Sequence, residues 1–127
     1  MSGVFVDTYF RNEILIQFIK EDLDYNQILF NKLLGFLVQH LNDLLQEFTK
    51  RPLNLEKCEQ LAHKAKSSCK AFGIDSLALK LEEFEKALFL KKSLNYDVMI
   101  KEITGLVEPS IQSLRVAADL IFKKAVC

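Results

Sequence analysis

A chain of 127 residues, half of them hydrophobic and ten of them Phe, has the length and apolar content for one domain around one core. Lys and Arg number 17, as do Asp and Glu, a balance that disfavours nucleic-acid binding, where a basic excess supplies the affinity. No apolar run approaches the ~20 residues that span a bilayer, Met1 to Asp7 lack the charged start and long apolar stretch of a secretory leader, and Cys58, Cys69 and Cys127, at unrelated spacings, read as free thiols in a reducing cytoplasm.

Strand signals are nearly absent, with four Gly and two Pro in the whole chain, and the apolar residues recur at helical period. Five helices are expected. The first covers roughly Thr8 to Lys20, with Phe10, Ile14 and Phe18 apolar. The second starts after Asp24 as its cap, with Leu23 and Ile28 placed for a hydrophobic staple, and runs to about Thr49. Its stripe is Phe30, Leu33, Leu34, Leu37, Leu41, Leu44, Leu45 and Phe48. Arg51 and Pro52 break the chain. Asn54 caps the third helix, with Leu53 and Cys58 as a second possible staple and Leu55, Cys58, Ala62, Ala65, Cys69 and Phe72 apolar. Gly73 ends it, as Gly does where φ must be positive. Asp75 caps the fourth helix, striped by Leu77, Leu81, Phe84 and Leu88. Lys91 to Tyr96 reads as a loop, and the fifth helix runs from about Asp97 to Lys124.

Pro109 falls inside that last helix. An interior Pro costs ~3 kcal/mol through a lost hydrogen bond and a clash with the carbonyl four residues earlier, here that of Gly105, so a kink or a break is expected. Four long antiparallel helices joined by short loops, with a short N-terminal helix laid against them, give an all-α, up-down-up-down four-helix bundle over residues 1–127.

The third helix carries the residues with chemistry. At about 100° per residue, His63 lies about 150° from the centre of the apolar cluster. Glu56, Glu59, Gln60, Lys66, Ser67 and Lys70 share this outer face. Lys66 neighbours His63 at i+3, and Ser67 at i+4 is small and leaves space above the ring. A surface His beside Lys is ordinary on an exposed helix. The balance shifts because this His is central on its face, its neighbours are cationic or small, and bulky residues avoid the positions that would cover the ring.

The segment Ala62-His63-Lys64-Ala65-Lys66-Ser67-Ser68-Cys69-Lys70-Ala71-Phe72-Gly73 resembles the signature of the histidine-containing phosphotransfer (HPt) domains of multistep phosphorelays, Ala-His-x-Leu-Lys-Gly-Ser-Ser followed by a Leu-Gly pair. The His, the Lys three later, the Ser five later and the Gly ten later match in register. The next helix, with Leu77, Leu81 and the run Glu82-Glu83-Phe84-Glu85, is similar to the family's Leu-rich, Glu-ending helix. Ala65 stands where the family has Leu, which thins the packing. Ser67 stands where it has Gly, under the approaching partner.

The resemblance implies that His63 accepts a phosphoryl group from the aspartate of a receiver domain and passes it to another receiver. An unperturbed His pKa of ~6.5 keeps a nucleophilic neutral ring at cell pH. Lys66 would stabilise the phosphoryl oxygens, and Ser67 or Ser68 would add a hydrogen bond, Ser68 lying nearer the core. Ser67, Lys64, Lys70, Glu59 and Gln60 would form the docking surface. Lys64 and Lys70 read equally as solvated lysines. The family's partner supplies Mg²⁺, so no cofactor is expected here, and the absence of a Gly-rich phosphate loop argues against ATP-dependent autophosphorylation. Response-regulator receivers or a hybrid histidine kinase would be the partners of a cytoplasmic monomer, with no membrane or nucleic acid involved.

Leu29, Phe36 and His40 edge the second helix. They read either as a docking rim or, with more weight for Leu29 and Phe36, as packing under the N-terminal helix through Phe10 and Ile14; a structural role fits His40. Metal binding is a poor reading, because Cys58, His63 and Cys69 are not spaced to share a helix face and both Cys point to the core. The same geometry argues against a Cys–His catalytic pair. Two rival functions remain open: a docking module that keeps the His without carrying phosphate, and a bundle unrelated to signalling.

Overall fold

The computed structural model describes residues 12–90 and 96–126, and every regular element among them is helical. In chain order these are α1 (Asn12–Gln17), which passes into a wider π turn at Phe18–Asp22, then α2 (Gln27–Phe48), α3 (Leu55–Phe72), α4 (Asp75–Phe89) and α5 (Tyr96–Val126).

The turn into α2 differs from the expectation. Asp24 and Tyr25 adopt left-handed φ values of 50° and 58°, so Asp24 lies in the turn itself. The cap is Asn26, whose Oδ1 accepts the Leu29 N–H at 3.0 Å. Ile28 is 84% exposed while Leu23 is buried, so no staple forms between them. The core face of the first helical segment is Leu15, Ile19 and Leu23, with Ile14 and Phe18 half-buried beside it. Phe10 and the expected start at Thr8 lie outside the described residues.

Asn54 caps α3 as expected, its Oδ1 accepting the Lys57 N–H at 3.1 Å. Leu55, counted in the apolar stripe, is exposed, whereas Cys58 in the same turn is buried. Gly73 takes φ 79° at the other end. Its N–H donates to the Lys70 carbonyl at 3.1 Å, and the Ile74 N–H donates to the Cys69 carbonyl at 2.9 Å. This paired pattern satisfies the last carbonyls of a helix and requires a residue that tolerates positive φ. Ile74 then occupies the cap position of α4 and makes no side-chain cap bond; Asp75 is the first helical residue rather than the cap. A carboxylate there still favours the positive end of the helix dipole.

α5 is unbroken across Pro109. Gly105 is exposed with open space beside it, so the carbonyl that loses its donor can turn to water. Ile103 on one side of Pro109 and Ile111 and Leu114 on the other are buried in the same core, so the helix does not break there. Tyr96, expected in the loop, begins this helix; residues 91–95 lie outside the description.

Successive long helices are antiparallel neighbours. Phe30 meets Phe72 where α2 starts and α3 ends, and Lys70 and Lys66 of α3 meet Glu82 and Glu85 of α4. Lys80 of α4 reaches Glu102 of α5 at 3.6 Å, while Phe30 meets Phe122 across α2 and α5. α1 packs on α3 and α5. Two groups of edge-to-face rings pin the ends of the core. Phe18, Phe72, Phe30 and Phe122 form one, with centroids 5.1 to 5.6 Å apart. Phe48, Phe84 and Tyr96 form the other. Each such pair adds about 0.5–1.5 kcal/mol beyond its buried area. Between them the fully buried side chains of α3 are small, Cys58, Ala62, Ala65 and Cys69, with Leu61 packed beside them. This keeps its opposite face, with His63, turned outward. No described helix is long and apolar enough to cross a membrane.

Candidate functional site

α3 and α4 form a hairpin through Gly73 and Ile74, and the charged residues of its two helices meet on its outer side. His63 is 64% exposed at the side chain, and its Nδ1 lies 3.0 Å from Oε2 of Glu85. A carboxylate only accepts hydrogen bonds, so the Nδ1–H donates and the unprotonated nitrogen of the neutral ring is Nε2. Glu85 is only 16% exposed. Its other oxygen, Oε1, sits 2.8 Å from Nζ of Lys66, itself 16% exposed. Oε1 accepts no well-aligned hydrogen bond, so this contact is an ion pair held by charge rather than by direction. His63, Glu85 and Lys66 thus form a chain with an exposed imidazole at one end and a sheltered cation at the other.

A second set of charges continues toward the turn. Glu82 lies 3.5 Å from Lys70 and 3.7 Å from Lys86, and these two cations, Lys70 first, hold its carboxyl below the usual range. An open depression runs between the helices, bordered by Glu59, Lys66, Glu82 and Glu85 and, at its far end, by the exposed Phe89 and Leu90.

The α3 residues expected to dock a partner all lie on its outer side. Gln60, Lys64, Ser67 and Lys70 are exposed and Glu59 is half-buried at the depression. Lys66 is engaged with Glu85 rather than free beside the ring. Ser68 turns inward to His40, with Oγ and Nδ1 2.9 Å apart, so both side chains tie α2 to α3. Leu29 and Phe36 are not buried under the described part of α1: they are 37% and 52% exposed. The partner of His63 on α4 was not identified from the sequence, although the acidic run was visible. A usable signal was present, since His63 and Glu85 stand eleven residues to either side of Ile74, and a tight antiparallel turn there brings such positions level.

Cys58 and Cys69 are free and buried. Burial pushes the Cys69 thiol up to about 12 and also raises Cys58, with Glu47 adding and Arg51 opposing. Neither has the thiolate character of a nucleophile. Among the described residues no three His, Cys, Asp or Glu are grouped to hold a metal ion.

Comparison with protein-family models, with curated proteins and with solved structures returns no match for this chain.

Proposed function

We propose that this chain is a phosphorelay carrier of the HPt type, an up-down-up-down four-helix bundle with a short N-terminal helix against it, acting in the cytoplasm as a monomer. The observation that carries the reading is the state of His63: an exposed ring whose Nδ1 is committed to Glu85, leaving Nε2 open to an incoming phosphoryl group. The Nε2 lone pair attacks phosphorus of a receiver's aspartyl phosphate. The P–O bond to the aspartate breaks, and its electron pair returns to that carboxylate. A second receiver takes the group by the reverse chemistry. Such transfers need positioning and charge compensation more than covalent help. Mg²⁺ belongs to the receiver. Lys66 stands one turn along α3 from His63, and in this reading it shares its charge between Glu85 and the phosphoryl oxygens.

Small or flexible side chains around the ring support docking: Ser67, Gln60 and Lys64 leave it uncovered. The exposed Leu29 and Phe36 on α2 support an apolar rim for the receiver. They equally suit a docking module that carries no phosphate, which is the second reading.

The test is label transfer from phosphorylated receivers of the same organism to the wild type and to His63→Gln. Acid-labile, base-stable label on the wild type and none on the variant is expected. No label on the wild type from the full receiver set overturns the carrier reading, and retained receiver binding would then select the docking module.

A further inference from the structure

We propose that Glu85 is a positioning residue that keeps the Nδ1 proton on His63 through the phosphorylated state, so that the phosphoryl group departs from an imidazolium. This rests on the reading of His63 as the phosphoacceptor.

The argument begins with valence. When Nε2 of the Nδ1–H tautomer takes a phosphoryl group, both ring nitrogens are substituted and the ring carries a positive charge. It can shed the Nδ1 proton and become neutral, or keep it. The two forms differ in what leaves next. As the P–Nε2 bond breaks, its electron pair goes to Nε2; from the cationic ring the departing group is neutral imidazole, from the neutral ring it is imidazolate. The cationic form therefore transfers or hydrolyses far more readily.

Glu85 favours that form. Its Oε2 is 3.0 Å from Nδ1, where an opposite charge stabilises the protonated ring. The carboxylate cannot drift away, because it is largely sheltered and held 2.8 Å from Lys66. The other charges on the outer side of the hairpin come from both helices: Glu59, Lys64 and Lys70 on α3, Glu82 and Lys86 on α4. Lys70 and Lys86 are engaged with Glu82, so the direct carboxylate contact dominates at Nδ1. Lys66 offsets part of Glu85's charge and also fixes its position. An amide in place of the carboxylate could still accept the Nδ1–H but would add no charge.

Two measurements on the full chain test this. Long-range proton–nitrogen NMR of the unmodified protein reads the ring tautomer directly. Phosphoramidate, a small chemical donor, loads His63 without any receiver, and loss of label is then followed against pH for the wild type and Glu85→Gln. In that loss, water oxygen bonds to phosphorus, the P–Nε2 bond breaks, and inorganic phosphate leaves. Discounted for the ring's exposure, removing the charge is expected to move the midpoint of the pH–decay curve down by about one unit. Above the midpoint, label on Glu85→Gln should outlast the wild type by about tenfold. Superimposable decay curves would overturn the proposal, as would a wild-type ring protonated at Nε2 alone. The tautomer measurement decides even where chemical loading fails. Failure of every receiver to exchange phosphate with His63, with the Glu85→Gln shift intact, would overturn the relay reading and leave this one standing.

Discussion

Lys66 and Glu85 make the strongest energetic claim in the site, and a double-mutant cycle can measure it. At 2.8 Å, two unit charges attract by about 6 kcal/mol at an effective dielectric of 20 and about 1.5 kcal/mol at that of water. Both side chains are 16% exposed, so desolvation takes back a large part of the higher figure. A coupling of about 2 kcal/mol is the expected remainder. Lys66→Met should cost about 2–3 kcal/mol, since it leaves a sheltered carboxylate with only the exposed His63 beside it. Glu85→Gln should cost about 1–2 kcal/mol, and the double variant no more than Lys66→Met alone. Urea unfolding followed by circular dichroism gives all four corners of the cycle. Single-variant costs that simply add to the double-variant cost within about 0.5 kcal/mol would refute the reasoning. His63→Gln should change stability by under about 0.5 kcal/mol, because the ring is mostly solvated and the hydrogen bond it gives up lies at the surface.

Gly73→Ala should destabilise by about 1–2 kcal/mol through strain at φ 79°, and Gly73→Asn by less; equal urea midpoints for the two variants would show that backbone conformation is not the cause. Burial raises the Cys69 thiol from 9.0 to about 12, so its contribution to stability is complete below pH 9 and declines as pH rises from there toward 12, because the unfolded chain loses that proton first. The slope attributable to Cys69 approaches about 1.4 kcal/mol per pH unit. Cys69→Ala should flatten it, and an unchanged slope in unfolding free energy over that window would count against the assignment.

The helices were legible because their apolar periods are regular and their breakers few. Asn54 and Gly73 declared the ends of α3 by chemistry that needs no tertiary context. The turn before α2 was not legible in the same way. Asp24 and Asn26 are both good caps, and only the left-handed pair at Asp24 and Tyr25, set by how the π turn closes, decides between them. The break allowed for at Pro109 does not occur, for a related reason. Its local cost is real, but Ile103, Ile111 and Leu114 bury one continuous face and hold the helix whole. The exposure of His63 followed from helical period alone. Its bond to Glu85 did not, because period fixes a direction and not the height of the neighbouring helix. Leu29 and Phe36 read toward burial in the sequence, since an apolar residue beside a core stripe usually finds cover, but the described part of α1 packs instead on α3 and α5.

The charged constellation draws every member, from Glu59 to Lys86, from one helical hairpin. Closing so short a segment of chain costs little entropy and is fast. The geometry around His63 therefore depends on the α3–α4 turn more than on the ends of the molecule. Fraying at α1 or at the last turns of α5 leaves the three-residue chain intact, whereas a change in register at Gly73 displaces all of it at once. The remaining helices bear on the constellation only through the inner face of the hairpin that they cover.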